Sequence, residues 1–93
     1  MTEDKLIVPA RSVASRIVDD LAIILDPAVD SLQRLNEVGS FIWARVMERQ
    51  HTVASIQAAL VETFDVDEQQ AAQDLATFLT KLEARDLIVY TPH

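Results

Sequence analysis

The sequence predicts an α+β fold, winged-helix-like, in which a small N-terminal antiparallel sheet of two or three strands precedes three helices. Two patterns lead to this prediction. Residues between Val13 and Leu35 favour strands, with aspartates and a proline placed to form turns between them. From Asn36 onward, apolar residues recur at helical spacing. A chain of 93 residues forms one domain, here residues 1–93.

The N-terminal part contains three candidate strands. Residues 1–11 are expected to be a loosely ordered lead-in, because Pro9 interrupts regular structure. Residues 14–20 form the first candidate strand. Residues 21–25 form the second, and its two apolar faces are typical of a central strand. Residues 31–35 follow the turn sequence DPAVD, and their mixed faces favour an edge position.

Each predicted helix begins after a residue whose side chain accepts hydrogen bonds from free backbone amides. The last helix also shows the spacing of a capping box, and the apolar LIVY after it forms a short strand or an extended tail. The caps are Asn36, Thr52 and Asp67 (with Gln70), and the helices cover about residues 37–49, 53–64 and 67–86.

The single glycine, Gly39, lies inside the first predicted helix, one turn before the single tryptophan, Trp43. A glycine in a helix costs about 1 kcal/mol relative to alanine. We interpret its position as steric: the missing side chain lets the preceding strand and the helix approach closely, in preference to a direct contact with a ligand.

The composition argues against several classes of protein. Fifteen acidic residues against eight basic ones give a net charge of −7, whereas nucleic-acid binders use a basic surface to neutralise phosphates. The chain has no cysteine, so it forms no disulfide and no thiolate metal site. It has neither an apolar run long enough for a membrane span nor a signal-peptide pattern. We expect a cytoplasmic protein without a cofactor.

The motifs resemble those of the PqqD-like family, the recognition elements for ribosomally made, enzymatically modified precursor peptides (RiPPs). The most specific match is LNEVGSFIW at residues 35–43. Two turns depart from the family pattern, at ERQH (48–51) and at Asp86, where the family tends to have glycine. Further matching segments are VPARS (8–12), LAIILDP (21–27), TVASIQAAL (52–60), residues 64–82 and DLI (86–88).

The resemblance implies a domain without catalysis of its own. Such a domain captures the leader of a precursor peptide and presents it to a modifying enzyme, often a radical S-adenosylmethionine maturase, in the pyrroloquinoline quinone pathway or another RiPP pathway. The leader adds as a strand to the sheet edge, between the third strand and the third helix. The peptide-binding residues expected from this are Ser31, Leu32, Gln33, Arg34, Leu75, Phe78, Lys81, Leu82 and Arg85.

Less specific roles compete for some of these residues. At least two of Leu75, Phe78 and Leu82 are expected in the ordinary core, and Lys81 and Arg85 are more often solvated helix charges than ligand contacts.

Three other functions are alternatives to peptide capture. A winged-helix DNA-binding regulator shares the fold class, but the second helix contains no cation and acids outnumber cations on the third. Catalysis lacks support, because neither His51 nor His93 belongs to a recognisable pair of base and nucleophile. A structural subunit that dimerises through the apolar tail LIVY or through the open sheet edge is a third alternative.

Overall fold

The computed structural model of the protein describes residues 5–11, 13–26 and 30–92. It confirms the predicted α+β fold class, with an N-terminal antiparallel sheet followed by three helices. In chain order the elements are β1 (Lys5–Pro9), β2 (Ala14–Val18), β3 (Leu21–Asp26), β4 (Ser31–Arg34), α1 (Glu37–Met47), α2 (Val53–Phe64), α3 (Glu68–Ala84) and β5 (Ile88–Pro92).

The main sheet has three antiparallel strands in the order β2-β3-β4. The predictions of a central second strand and an edge third strand are both confirmed. Asp19 and Asp20 form the turn between β2 and β3 with positive φ angles of 53° and 66°. This conformation is typical of the two-residue hairpin turns that match strand twist, and aspartate tolerates it.

A second sheet joins the two ends of the chain, because β1 pairs antiparallel with β5. Residues 5–9 are thus a paired strand, not the loosely ordered segment expected, and the apolar tail is its partner. Burial explains the difference: Ile7 is fully buried, and Val8 is 7% exposed. Pro9 is tolerated because it ends the strand. Residues 1–4 of the predicted lead-in lie outside the described residues.

The three N-caps form as predicted. The Asn36 side chain accepts a hydrogen bond from Gly39 N at 2.8 Å, and Asp67 Oδ1 accepts one from Gln70 N at 2.7 Å. The Gln70 side chain, however, donates to Asp74 at 2.8 Å, so no reciprocal bond to the cap of α3 is seen. A complete capping box is found at α2 instead, between Thr52 and its third helical residue.

The inner face of the main sheet packs against α1. Ala22 and Ile24 of β3 are fully buried there, and Trp43 of α1 is fully buried as well. The Trp43 indole donates to the Ser15 hydroxyl of β2 at 3.0 Å. The Ser40 hydroxyl accepts from the Ala22 amide at 2.7 Å. These two polar contacts fix the distance and orientation of α1 relative to the sheet.

The remaining core comes from the helices and the second sheet, in one continuous cluster. Within the described ranges, no helix is long and apolar enough to cross a membrane.

Candidate functional site

The outer edge of β4 presents unpaired backbone groups. Leu35 N donates to Ala22 O at 2.9 Å, which fixes the hydrogen-bonding phase of the β3–β4 ladder. Because paired positions alternate along an antiparallel strand, Gln33 faces β3 with its amide and carbonyl, while Leu32 and Arg34 direct theirs away from it. In the described part of the chain, β4 has β3 as its only neighbour in the sheet.

A cleft of about 550 Å³ lies beside this edge, between β4 and α3. One wall is β4 with the segment leading into α1, and the other is the second half of α3. The residues that line the cleft are Gln33, Arg34, Leu35, Asn36, Phe78, Lys81, Leu82, Ala84 and Arg85. The groove that the family resemblance implied between the third strand and the third helix is therefore present.

The lining of the cleft is cationic. Arg34, Lys81 and Arg85 all border it, and none of the described residues that line it is acidic. Arg85 Nη1 donates to Oδ2 of the buried Asp26 at 3.5 Å, a contact that ties the helix end to β3. The cleft thus concentrates positive charge on a protein whose net charge is −7.

Gln33 adds an unused hydrogen-bond donor. Its side chain is on the inner face of β4, opposite Ile24, and it borders the cleft. Its Nε2 atom is buried and has no hydrogen-bond partner in the described structure. An unpaired buried donor costs about 1–3 kcal/mol, so a carbonyl oxygen entering the cleft would gain a ready partner.

Of the nine predicted site residues, six line the cleft and three do not. Gln33, Arg34, Phe78, Lys81, Leu82 and Arg85 line the cleft. Leu75 and Leu82 are core residues, 1% and 3% exposed, as expected for at least two of the three apolar candidates on this helix. Leu75 does not border the cleft. Ser31 does not border it either, although it belongs to the edge strand.

Leu32 is the third predicted residue that is not among those lining the cleft. It pairs with Leu25 on the opposite face of the sheet from α1 and is 67% exposed. Its backbone borders the open edge, but its side chain is directed away from the cleft. The sequence alone does not indicate which face of the sheet α1 covers, so it does not orient the Leu32 side chain. Leu35, Asn36 and Ala84 were missed as lining residues.

A second cleft, of about 600 Å³, continues past Phe78 between α1 and α3. Asn36, Phe78 and Lys81 border both clefts. Gly39 also lines the second cleft, and a Cβ atom at this position would lie 3.1 Å from Phe78 Cε1. The Phe78 ring therefore forms the ridge between the two clefts.

Comparison with known protein families assigns the fold. The family model for "Coenzyme PQQ synthesis protein D (PqqD)" matches residues 13–88. The chain belongs to the PqqD family. Among curated proteins, the sequence comparison finds no match.

Two solved structures resemble this PqqD-family protein. One is "TbiB1 in Complex with the TbiA(beta) Leader Peptide", with a TM-score of 0.79 and 27% identity, covering 87% of this chain and 93% of that chain. The other is "Lasso peptide synthetase B1 complexed with the leader peptide", with a TM-score of 0.77 and 19% identity, covering 89% of this chain and 96% of that chain. Neither these structures nor the family match supports the alternative of a DNA-binding regulator.

A serine, a histidine and a glutamate do meet in this PqqD-family chain, between α1 and α2. The His51 ring contacts the Glu48 carboxylate through Nε2 and lies 3.5 Å from Ser55 Oγ through Nδ1. This Ser55 hydroxyl already donates to Thr52 O at 3.0 Å and accepts from Thr52 N. It is occupied in the capping box of α2, so the cluster is a helix-start structure and not an activated nucleophile.

Proposed function

We propose that this protein is a non-catalytic adaptor that captures the leader of a ribosomally made precursor peptide by strand addition at β4. The observation that carries the proposal is the open β4 edge, with the outward backbone groups of Leu32 and Arg34 beside a cation-lined cleft. An added strand satisfies such groups while side pockets provide selectivity. The leader peptide in the TbiB1 structure, the more similar of the two relatives, supports this type of ligand.

The charge of the clefts favours the β4 side over the opposite side of the sheet. Arg34, Lys81 and Arg85 suit the acidic residues that are common in leader peptides. A cleft of about 370 Å³ beside the β2–β3 turn is bordered by Asp20 and Glu37 and, within the described parts of the chain, by no cation. An acidic leader is repelled there and attracted at β4, so charge selects between the two sides.

The bound leader is passed to a modifying enzyme, and a radical S-adenosylmethionine maturase is the enzyme class we propose. Membership of the PqqD family is compatible with a role in making pyrroloquinoline quinone. The relatives bound to leader peptides are equally compatible with another RiPP pathway. In either pathway the modifying enzyme carries out the chemistry, and this chain supplies substrate capture.

A backbone substitution tests strand addition directly. Leu32→Pro removes an amide that is directed to the open edge and leaves the β3–β4 hydrogen bonds intact. The loss of one hydrogen bond, with the proline ring facing the incoming strand, should weaken leader binding at least about tenfold. The matched control is Leu32→Ala, which shortens the exposed side chain but keeps the amide. Its affinity should stay within about twofold of wild type.

Binding is measured by calorimetric titration with the leader peptide encoded beside this protein's gene. Backbone amide shifts in a parallel NMR titration should change most at residues 31–35 and 78–85. Equal affinities for Leu32→Pro and wild type would mean that strand addition at β4 is the wrong mechanism. Shift changes confined to residues 53–64 would place the peptide on α2 and contradict the proposed cleft.

A further inference from the structure

The main sheet has an apolar face that its own helices do not bury. Strand alternation places one set of side chains inward against α1 and the other set outward. The inward residues Ala22 and Ile24 are fully buried. The outward residues, called here the outer face, include Val18 at 45%, Leu21 at 44% and Leu32 at 67% exposure.

Strand register assembles these side chains into one patch. Leu25 of β3 pairs with Leu32 of β4, and Leu21 pairs with Val18 of β2. Between these rows lies Ile23. The patch surrounds a shallow depression of about 460 Å³. Contiguous exposed apolar surface of this kind marks interaction sites on soluble proteins, because leaving it in water is unfavourable.

Two arginines border the patch from opposite sides. Arg16 of β2 and Arg34 of β4 both pair with Ile23, so the row reads Arg–Ile–Arg across the sheet. No acidic residue belongs to the outward set of these three strands. On a chain with a net charge of −7 this is a local reversal of sign.

The charge decides between a second copy and a different protein as the occupant. A symmetric dimer through the outer face would bring together two identical surfaces, each with two arginines and no carboxylate among its outward strand residues. Like charges brought together at an interface are unfavourable. A partner with an apolar centre and a rim of carboxylates is complementary to both features.

We propose that the outer face docks the modifying enzyme, through an enzyme surface that is apolar at its centre and acidic at its rim. This inference rests on the proposed adaptor function. The face is also continuous with the proposed leader site: a leader strand added to β4 would project alternate side chains outward, beside Leu32 and Arg34. The enzyme then contacts adaptor and leader on one surface, which favours the loaded complex.

The test uses a charge placed in the patch on the strand farthest from the leader site. Val18→Glu on β2 should weaken binding of the purified modifying enzyme, encoded beside this protein's gene, at least about tenfold. The matched control is Val89→Glu on β5, because Val89 is also 45% exposed but belongs to the second sheet. The control should bind the enzyme within about twofold of wild type.

Enzyme binding is measured first without leader, so a failure of leader capture leaves this readout intact. Leader affinity is then measured for each variant and should be unchanged by Val18→Glu. Arg16→Glu, which reverses one rim charge, is the second variant if circular dichroism shows that Val18→Glu is unfolded. The Arg16→Glu protein should bind the enzyme more weakly than wild type does, and its affinity should depend less on the salt concentration.

Three outcomes would overturn the proposal. The enzyme fails to bind wild type, or it binds wild type and the folded patch variants equally. In the third outcome, sedimentation shows a wild-type dimer that Val18→Glu or Arg16→Glu dissociates, which would make a second copy the occupant. Loss of leader binding by Lys81→Glu, a change in the cleft and outside the outer face, with enzyme binding retained would support two separate surfaces.

Discussion

Gly39 shows how a single residue connects the α1 start to the proposed binding cleft. A Cβ atom here would lie 3.1 Å from Phe78 Cε1 and 3.2 Å from Asn36 Oδ1. It would also lie 3.4 Å from Leu35 Cβ, the residue that leads out of the strand. The predicted steric role is thus present, with a larger contribution from α3 than from the strand. The missing side chain admits the Phe78 ring.

Replacing this glycine should be destabilising despite the gain in helix propensity. Gly39→Ala gains about 1 kcal/mol of propensity, but overpacking costs about 1–3 kcal/mol. We expect the free energy of unfolding to fall by about 1 kcal/mol, measured by urea denaturation. In a Phe78→Leu background, which removes the crowded ring carbon, the same change should be neutral or stabilising. An equal loss in both backgrounds would show that Phe78 is not the cause.

The titration of Tyr90 makes the free energy of unfolding depend on pH. Burial, followed by the nearby Glu83 carboxylate, raises the pKa of Tyr90 from 10.0 to about 12. The folded state therefore retains the phenol proton between these pH values, where the unfolded state loses it. The contribution of Tyr90 to the free energy of unfolding is therefore fully present below pH 10 and is lost as the pH rises towards 12.

The Tyr90→Phe variant separates the contribution of Tyr90 from that of the lysines, which titrate in the same pH range. We expect the free energy of unfolding of wild type to fall more steeply between pH 10 and pH 12 than that of Tyr90→Phe. Parallel pH profiles of the two proteins, followed by thermal unfolding, would contradict the raised pKa of Tyr90.

At the scale of elements, the sequence predicts what local chemistry determines. The caps Asn36, Thr52 and Asp67 locate the three helix starts, and the paired aspartates locate the β2–β3 turn. The pairing of β1 with β5 was not predictable in the same way, because its strands lie at opposite ends of the chain. Only tertiary packing brings them together, so the predicted lead-in was assigned no partner.

The cleft was predictable in outline but not in the orientation of its strand residues. β3 is apolar on both faces, so its sequence does not indicate which face α1 covers. That choice places Gln33 inward and Leu32 outward. A one-residue change of phase exchanges the two roles along the whole strand. The sequence therefore identifies Arg34 and Lys81 as neighbours of one groove but does not indicate on which side of the sheet the Leu32 side chain lies.

A substitution of Gln33 on β4 should change the free energy of unfolding and the affinity for the leader in opposite directions. Gln33→Leu removes a buried donor that has no partner in the described structure. We expect the free energy of unfolding to rise by about 1 kcal/mol, because an unpaired buried donor costs about 1–3 kcal/mol. Leader affinity should nevertheless fall about threefold to tenfold as the hydrogen bond to the peptide is lost.

The control for this change is Gln69→Leu, the same substitution at an exposed position in the first turn of α3. It should leave leader affinity unchanged. A destabilised Gln33→Leu would show that water or another group already satisfies the amide in the free protein.

The whole molecule combines a net charge of −7 with cations gathered around one cleft. The overall charge opposes binding of an acidic peptide at long range, whereas Arg34, Lys81 and Arg85 attract it at the site. The opposing contributions respond differently to salt. Screening removes the long-range repulsion first, since the Debye length is about 30 Å at 0.01 M and about 8 Å at 0.15 M.

Lys81→Glu tests whether the local attraction dominates, because Lys81 borders both clefts. Each charge contact near the surface is worth about 1 kcal/mol, so reversal should weaken leader binding about tenfold at low salt. The difference from wild type should shrink to about twofold near 1 M salt, where the Debye length is about 3 Å. The control, Lys5→Glu, makes the same charge change on β1, away from the residues that line the clefts. If both variants weaken binding equally, the loss comes from the more negative net charge and not from a local attraction at the β4–α3 cleft.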